Sequence, residues 1–263
     1  MKIRNTFLAL AAAGLSVSVA PRVHAQNDTK SIALISSGAA TIDTTKKKPI
    51  TSFTGDLGYV SATGNTNVTT LTVGDKIVHT NGRWMFTQLG TYVNGETDNK
   101  ESANQLLLAA RADFALRPRI SVFVGSTFER NSFAGFNSRT DEIAGLAWQA
   151  IAASRDSARL DVGGVATQES DVDSVMQSYP SARAALSYKH QFSKLAYFHQ
   201  FLEYIPNLKT SGSYRFNTES ALVAPISTHI GIKLAYAIRF DSRPQPTFGT
   251  TDRLLTTGIQ VSY

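Results

Sequence analysis

The chain of 263 residues contains no cysteine, so a disulfide framework, a thiolate metal site and a lipid anchor on an N-terminal cysteine are all excluded. Beyond residue 25 it also lacks any run of eighteen apolar residues, which leaves no segment for a membrane-spanning helix; a membrane, if crossed, is crossed by strands. Histidine is scarce there: His79, His190, His199 and His229 are all that remain. Nothing resembles a transition-metal cluster or a phosphate-cradling glycine loop, and no cofactor is expected. A strong charge of either sign is missing as well. The formal +6 includes Lys2, Arg4 and Arg22, and without them the chain carries 23 basic against 20 acidic residues, too even for a nucleic-acid partner.

What is there begins with a leader. Lys2 and Arg4 precede the apolar run Phe7–Ala20, and Val23-His24-Ala25 offers a small-residue cleavage site. The expected organisation is a secretory signal peptide over 1–25, a flexible periplasmic segment over 26–50 ending in Lys46-Lys47-Lys48-Pro49, and a barrel over 51–263. A lysine run of this kind reads as a solvated linker.

The other end of the chain is the most regular. Leu255, Thr257, Ile259, Val261 and Tyr263 alternate with Thr256, Gly258, Gln260 and Ser262, the period of two that a two-faced strand requires. A terminal aromatic on the apolar face of such a strand is how outer-membrane barrels end. Leu255, Ile259, Val261 and Tyr263 therefore form the expected assembly signal, read by the barrel-assembly machinery, and the strand is expected to close against the first one.

Between these ends lie twelve segments rich in Val, Ile, Thr, Tyr and Phe, at 51–62, 67–80, 83–94, 103–116, 119–130, 138–151, 157–168, 181–192, 194–205, 212–223, 229–240 and 251–263. Connections after even segments are tight, beginning with the hairpin signature Asn81-Gly82. Those after odd segments read as longer and more polar, among them Asn94–Ser102, Asn131–Asn137 and Glu169–Pro180. The pattern predicts an all-β fold: a twelve-stranded antiparallel transmembrane barrel with turns and both termini in the periplasm of a Gram-negative bacterium.

The faces agree. Ile230, Ile232, Leu234, Tyr236, Ile238 and Phe240 alternate with Gly231, Lys233, Ala235, Ala237 and Arg239. Leu106, Leu108, Ala110, Ala112 and Phe114 alternate with Gln105, Leu107, Ala109, Arg111 and Asp113. Apolar residues must face lipid, because a Lys or Arg against hydrocarbon costs roughly 2–4 kcal/mol near the midplane. The segment 194–205 is mixed, and its faces stay open. Trp84, Trp148, Tyr59, Tyr92, Tyr188, Tyr204 and Tyr263 fall near segment ends, where interfacial girdles occur.

Gly55-Asp56-Leu57-Gly58-Tyr59 with Ala62-Thr63-Gly64-Asn65-Thr66, and later Phe128-Glu129-Arg130-Asn131-Ser132-Phe133 with Arg139 and Gly145, resemble the YdiY-like family of salt-stress-induced outer-membrane barrels, a domain of unknown function. The resemblance covers about 51–263. It implies fold, location and a stress-linked role, and it brings no catalytic residues.

The lumen is expected to collect Arg111, Asp113, Glu129, Arg159, Asp161, Arg183, Lys189, Arg215, Glu219, Lys233, Arg239 and Asp241. Charges inside a narrow barrel must be paired and hydrogen-bonded, which gives a plug, or hydrated, which gives a narrow channel for ions or small solutes. A lipid-modifying hydrolase is the third reading. His199 and Glu203 share a strand face, but no serine stands in a nucleophile context. The acidic clusters Glu96, Asp98, Glu101 and Glu169, Asp171, Asp173 read as solvated loop charge ahead of a Ca²⁺ site. The expected partners are outer-membrane lipid and lipopolysaccharide, and the expected state is a monomer.

Overall fold

In this chain the alternation of side chains leaves the strand segments with one apolar face and one mixed face, and among the described residues no second sheet is present to cover either. Such a sheet satisfies its edges only by closing on itself. The computed structural model, which describes residues 49–62, 67–194 and 196–263, is that closed sheet. Its strands are β1 (Ile50–Ala62), β2 (Val68–Asn81), β3 (Trp84–Thr97), β4 (Lys100–Arg117), β5 (Ile120–Asn131), β6 (Phe136–Ala152), β7 (Asp156–Asp171), β8 (Met176–Gln191), β9 (Tyr197–Pro206), β10 (Tyr214–Pro225), β11 (Ile230–Asp241) and β12 (Thr251–Ser262). Each pairs antiparallel with its sequence neighbours, and β1 pairs with β12 to close the ring. The signal peptide expected over 1–25, and the expected periplasmic segment up to residue 48, lie outside the described residues.

The closing seam is short. Its register runs from Thr54↔Ser262 to Gly58↔Gly258, whereas β1 and β2 pair along the whole of β1. Two further backbone bonds extend the seam to the terminus, from the amide of Phe53 to the carbonyl of Tyr263 at 2.9 Å and from the amide of Tyr263 to the carbonyl of Phe53 at 3.0 Å.

The connections depart from expectation. The long polar loops foreseen at 94–102 and 169–180 are mostly strand. β3 and β4 continue to a two-residue turn, Asp98-Asn99, both at positive φ (49° and 59°), and β7 and β8 continue to the four residues 172–175. Polar composition marks a segment as solvated. It does not bar a strand once the ladder below sets the register, and Asp and Asn tolerate the left-handed geometry of a tight hairpin. The hairpin read at Asn81-Gly82 is shifted by one residue: Asn81 still pairs with Trp84, and Gly82 supplies the positive φ of 58°. Longer connections do survive at 207–213 and 242–250.

The outer surface carries the apolar residues. Val122, Val124, Leu146, Val162, Ile232, Leu234, Leu255 and Ile259 are all exposed, with Trp84 and Trp148 near the rim that also holds the outer ends of β1 and β12. We call this rim the termini end and the opposite one the far end. A belt of this kind has only hydrocarbon as a favourable solvent, so the barrel spans a membrane. β9 resolves with His199, Phe201, Glu203 and Ile205 inward. Its pattern was unreadable because Gln200 faces outward. That amide is satisfied locally, donating to Thr218 Oγ1 at 2.9 Å and to the carbonyl of Phe201 at 3.0 Å, and accepting from Ser220 Oγ at 2.5 Å.

Candidate functional site

Along a strand, residues two apart share a face, so an Arg-x-Asp triplet points both charges into the lumen. This chain has four: Arg111/Asp113 on β4, Arg139/Asp141 on β6, Arg159/Asp161 on β7 and Arg239/Asp241 on β11. The first and third interlock at mid-height. Arg111 donates to its own Asp113 through Nε (2.9 Å) and Nη2 (2.8 Å), and across to Asp161 through Nη1 (2.5 Å). Arg159 mirrors this, donating to Asp161 through Nε (2.9 Å) and across to Asp113 through Nη2. Arg183 lies 3.6 Å from Asp161 and donates to Glu203 at 2.6 Å, and Asn217 donates to the other oxygen of Glu203 at 2.8 Å. Three guanidinium groups thus meet three carboxylates.

The backbone beneath this lattice is pared down to admit it. Phe123 of β5 lies under the Arg111 guanidinium, 3.7 Å from ring centre to Cζ. A Cβ on Gly145 would approach the Phe123 ring to 3.0 Å and the carbonyl oxygen of Val162 to 2.2 Å, so only glycine fits that inward position. The side chains are dry: Asp113 is 0% exposed, Asp161 1%, Arg111 2% and Arg159 4%.

Towards the far end come three further pairs. Arg215 of β10 donates to both oxygens of Asp141 on β6 (3.1 and 3.2 Å), and Thr167 Oγ1 donates to the same carboxylate at 2.6 Å. Arg139 meets Glu169 at 2.6 Å. Arg239 of β11 donates to Glu129 of β5 at 2.7 Å, with Gln105 donating to Glu129 at 2.9 Å. β5 and β11 stand six strands apart either way around a twelve-stranded ring, so this contact crosses the lumen. A small polar cavity of about 70 Å³ remains above it.

The termini end is different. Lys233 sits 3.5 Å from Asp56, Tyr197 donates to Gln260 at 2.9 Å, and the Lys189 ammonium rests over the Tyr197 ring at 4.3 Å. His199 Nε2 and Ser187 Oγ are 2.9 Å apart. Lys76 of β2 also points inward.

Of the twelve charges expected in the lumen, Arg111, Asp113, Glu129, Arg159, Asp161, Arg183, Arg215, Lys233 and Arg239 are brought into ion pairs, and Glu219 is buried beside Lys233. Two of the twelve stand outside the ion pairs. Lys189 faces an aromatic ring and no carboxylate, because the inward neighbours of its strand end are His199 and Tyr197. Asp241 belongs to the far rim, where it caps a turn by accepting from the amide of Arg243 at 2.8 Å. Sequence reasoning missed Asp56, Arg139, Asp141, Glu169 and Lys76, and left Glu203 out of the lumen. The Arg-x-Asp triplets were the available signal for Arg139 and Asp141. Within the acidic clusters Asp98 and Asp171 serve as turn caps, accepting from the backbone amides of Asn67 and Val175, whereas Glu101 accepts from the side-chain amide of Asn104 and Glu169 pairs with Arg139. His199 and Glu203 share a face but engage different partners, Ser187 and Arg183, so they form no catalytic pair.

Fold and site together define a closed twelve-stranded transmembrane barrel whose lumen is crossed by ion pairs. The chain belongs to the family described as "Protein of unknown function, DUF481", whose model matches residues 55–263. It is 25% identical to the uncharacterized protein YdiY of Escherichia coli (strain K12) over 219 residues, covering 82% of this chain and 84% of that one. Among solved structures it is similar to the NanC porin (TM-score 0.47, 11% identity, 80% of this chain and 97% of that one) and to the KdgM porin in complex with disordered oligogalacturonate (TM-score 0.43, 12% identity, 81% and 99%).

Proposed function

We propose that this protein is an outer-membrane barrel of a Gram-negative bacterium, with both termini on the periplasmic side, whose lumen is sealed in its resting state. The apolar belt and the terminal aromatic strand support the location. The dryness of the mid-height lattice carries the sealed reading. The wall charges of an open pore are wetted by the water they conduct, whereas Asp113 and Asp161 have 0% and 1% of their side chains accessible. The Arg239–Glu129 contact across the bore supports the same view. This favours the ion-paired plug over the narrow channel, and an envelope role over a transport role. The lipid-modifying hydrolase has less support: the Ser187–His199 pair lies inside the barrel with Ser187 buried, away from any lipid substrate.

Recording from the refolded protein in planar bilayers tests the reading. A sealed barrel gives no steady ohmic conductance, and a stable open level in the wild type would overturn it. Fractionation with outer membranes and a gel shift on boiling test the location.

A further inference from the structure

The ion pairs of the lumen do not balance evenly along its length. At mid-height Arg111, Arg159 and Arg183 are matched by Asp113, Asp161 and Glu203. At the termini end three lysines converge from separated strands: Lys76 from β2, Lys189 from β8 and Lys233 from β11. All three ammonium groups lie within electrostatic reach of the His199 imidazole on β9, and Lys76 also lies within reach of Lys189 and Lys233. Lys233 is flanked by two carboxylates, Asp56 at 3.5 Å and Glu219. The other two are not. Among the described residues Lys76 has no hydrogen bond or ion pair, and the only partner of the Lys189 ammonium is the face of Tyr197.

Like charges held together in a confined space repel, and a half-buried ammonium without a counterion is costly. The strands that carry them are hydrogen-bonded on both sides and cannot move apart. Both lysines are half-buried, and the dry lattice lies between them and the far end.

We propose that this blind end of the lumen binds a phosphate-type oxyanion, held between Lys76 and Lys189 on opposite walls, with Lys233 and His199 completing its surroundings. Lysine presents a compact, strongly hydrated point charge with three donors, which suits a small anion of high charge density better than a planar carboxylate, the natural partner of arginine. The site goes beyond the sealed-barrel reading, and conductance bears on that reading alone, so either can fail without the other.

Inorganic phosphate is the first probe. The refolded wild type in a phosphate-free detergent should show a higher urea midpoint with sodium phosphate than with sodium chloride at equal ionic strength. Lys76→Met and Lys189→Met should each weaken phosphate binding by about tenfold or more, as loss of a charge-assisted contact implies. Both variants leave no carboxylate stranded, so without phosphate they should be at least as stable as the wild type. Lys209→Met, in the loop at the far end, should keep the phosphate effect. Phosphorus-31 line broadening reads binding on the wild type alone, independently of how the variants fold. Micelles doped with a phosphomonoester lipid distinguish the source: stabilisation there but not by inorganic phosphate assigns the site to a headgroup. No effect from either source, or an effect undiminished in both lysine variants, would overturn the proposal.

Discussion

Arg239 and Glu129 are 110 residues apart in sequence and sit on diametrically opposed strands, yet their charged groups are 2.7 Å apart. Replacing Arg239 with Met leaves Glu129 and Gln105 facing each other with the cation gone. Breaking a buried pair from one side costs about 3–5 kcal/mol, because an uncompensated charge remains. Glu129 is 3% exposed and Arg239 11%, so the upper half of that range applies only if water stays out of the small far-end cavity. Urea unfolding of the refolded variant measures the loss. A hydrated, open lumen would instead give a small loss and a shift of ion selectivity toward cations.

The glycines beneath the lattice give a sharper test. At Gly145 an added Cβ would stand 2.2 Å from the carbonyl oxygen of Val162, which the ladder between β6 and β7 holds in place. Gly145→Ala should therefore destabilise the barrel by about 1–3 kcal/mol through forced backbone movement. Gly164, nineteen residues on and facing outward, has open space at the same position. Gly164→Ala should be neutral or stabilising by roughly 0.4–1 kcal/mol, since it removes freedom from the unfolded chain only. Equal effects at the two sites would show that the close approach is not real.

Deleting Tyr263 removes two backbone hydrogen bonds from the shortest seam in the ring, together with a side chain that is 89% exposed and stacked on His229. The folded, membrane-inserted yield should fall more than synthesis does, as quantified by the heat-modifiable gel band against total protein. Unchanged yield would mean that the terminal strand assembles without its aromatic.

Carboxylates also occur on the lipid face, Asp75 of β2 beside Ile77 and Glu142 of β6 among them. Glu142 faces outward on β6, six residues from Trp148 along the same face, and accepts from Ser126 Oγ at 2.8 Å. Acidic residues on the lipid face cost less than basic ones but still destabilise. Glu142→Leu should raise the unfolding free energy by about 1 kcal/mol in lipid vesicles, measured by urea titration. A destabilised variant would indicate that Glu142 serves a contact outside this barrel.

Twelve strands, their order and most of their faces were legible because a period of two survives wherever one face meets hydrocarbon. It failed on β9, where Gln200 turns outward and satisfies itself on Thr218 and Ser220, an arrangement that depends on the next strand and not on local sequence. The loops at 94–102 and 169–180 were misread for a related reason. Past the apolar belt both faces of a strand are polar, and the alternation that marks a strand disappears although the ladder continues. The lumen charges could be listed from parity alone, but their pairing could not. Asp113 finds Arg159 only because β4 and β7 curve toward each other, and nothing local to either strand encodes that curvature.

The wall of this barrel is uneven in height. β4 runs for 18 residues and β6 for 17, whereas β9 has 10 and β10, β11 and β12 have 12 each. On the tall side the backbone stays hydrogen-bonded up to very short turns, at Asp98-Asn99 and at 172–175. On the low side it ends in the slack connections 207–213 and 242–250, which carry Lys209 and Arg243. A protease needs several residues of extended, unpaired chain to engage a bond. Trypsin acting on the intact barrel from the far end should therefore find its substrate almost wholly along one half of the rim, cutting after Lys209, since Pro244 protects the bond after Arg243, while Lys100, though exposed, is spared.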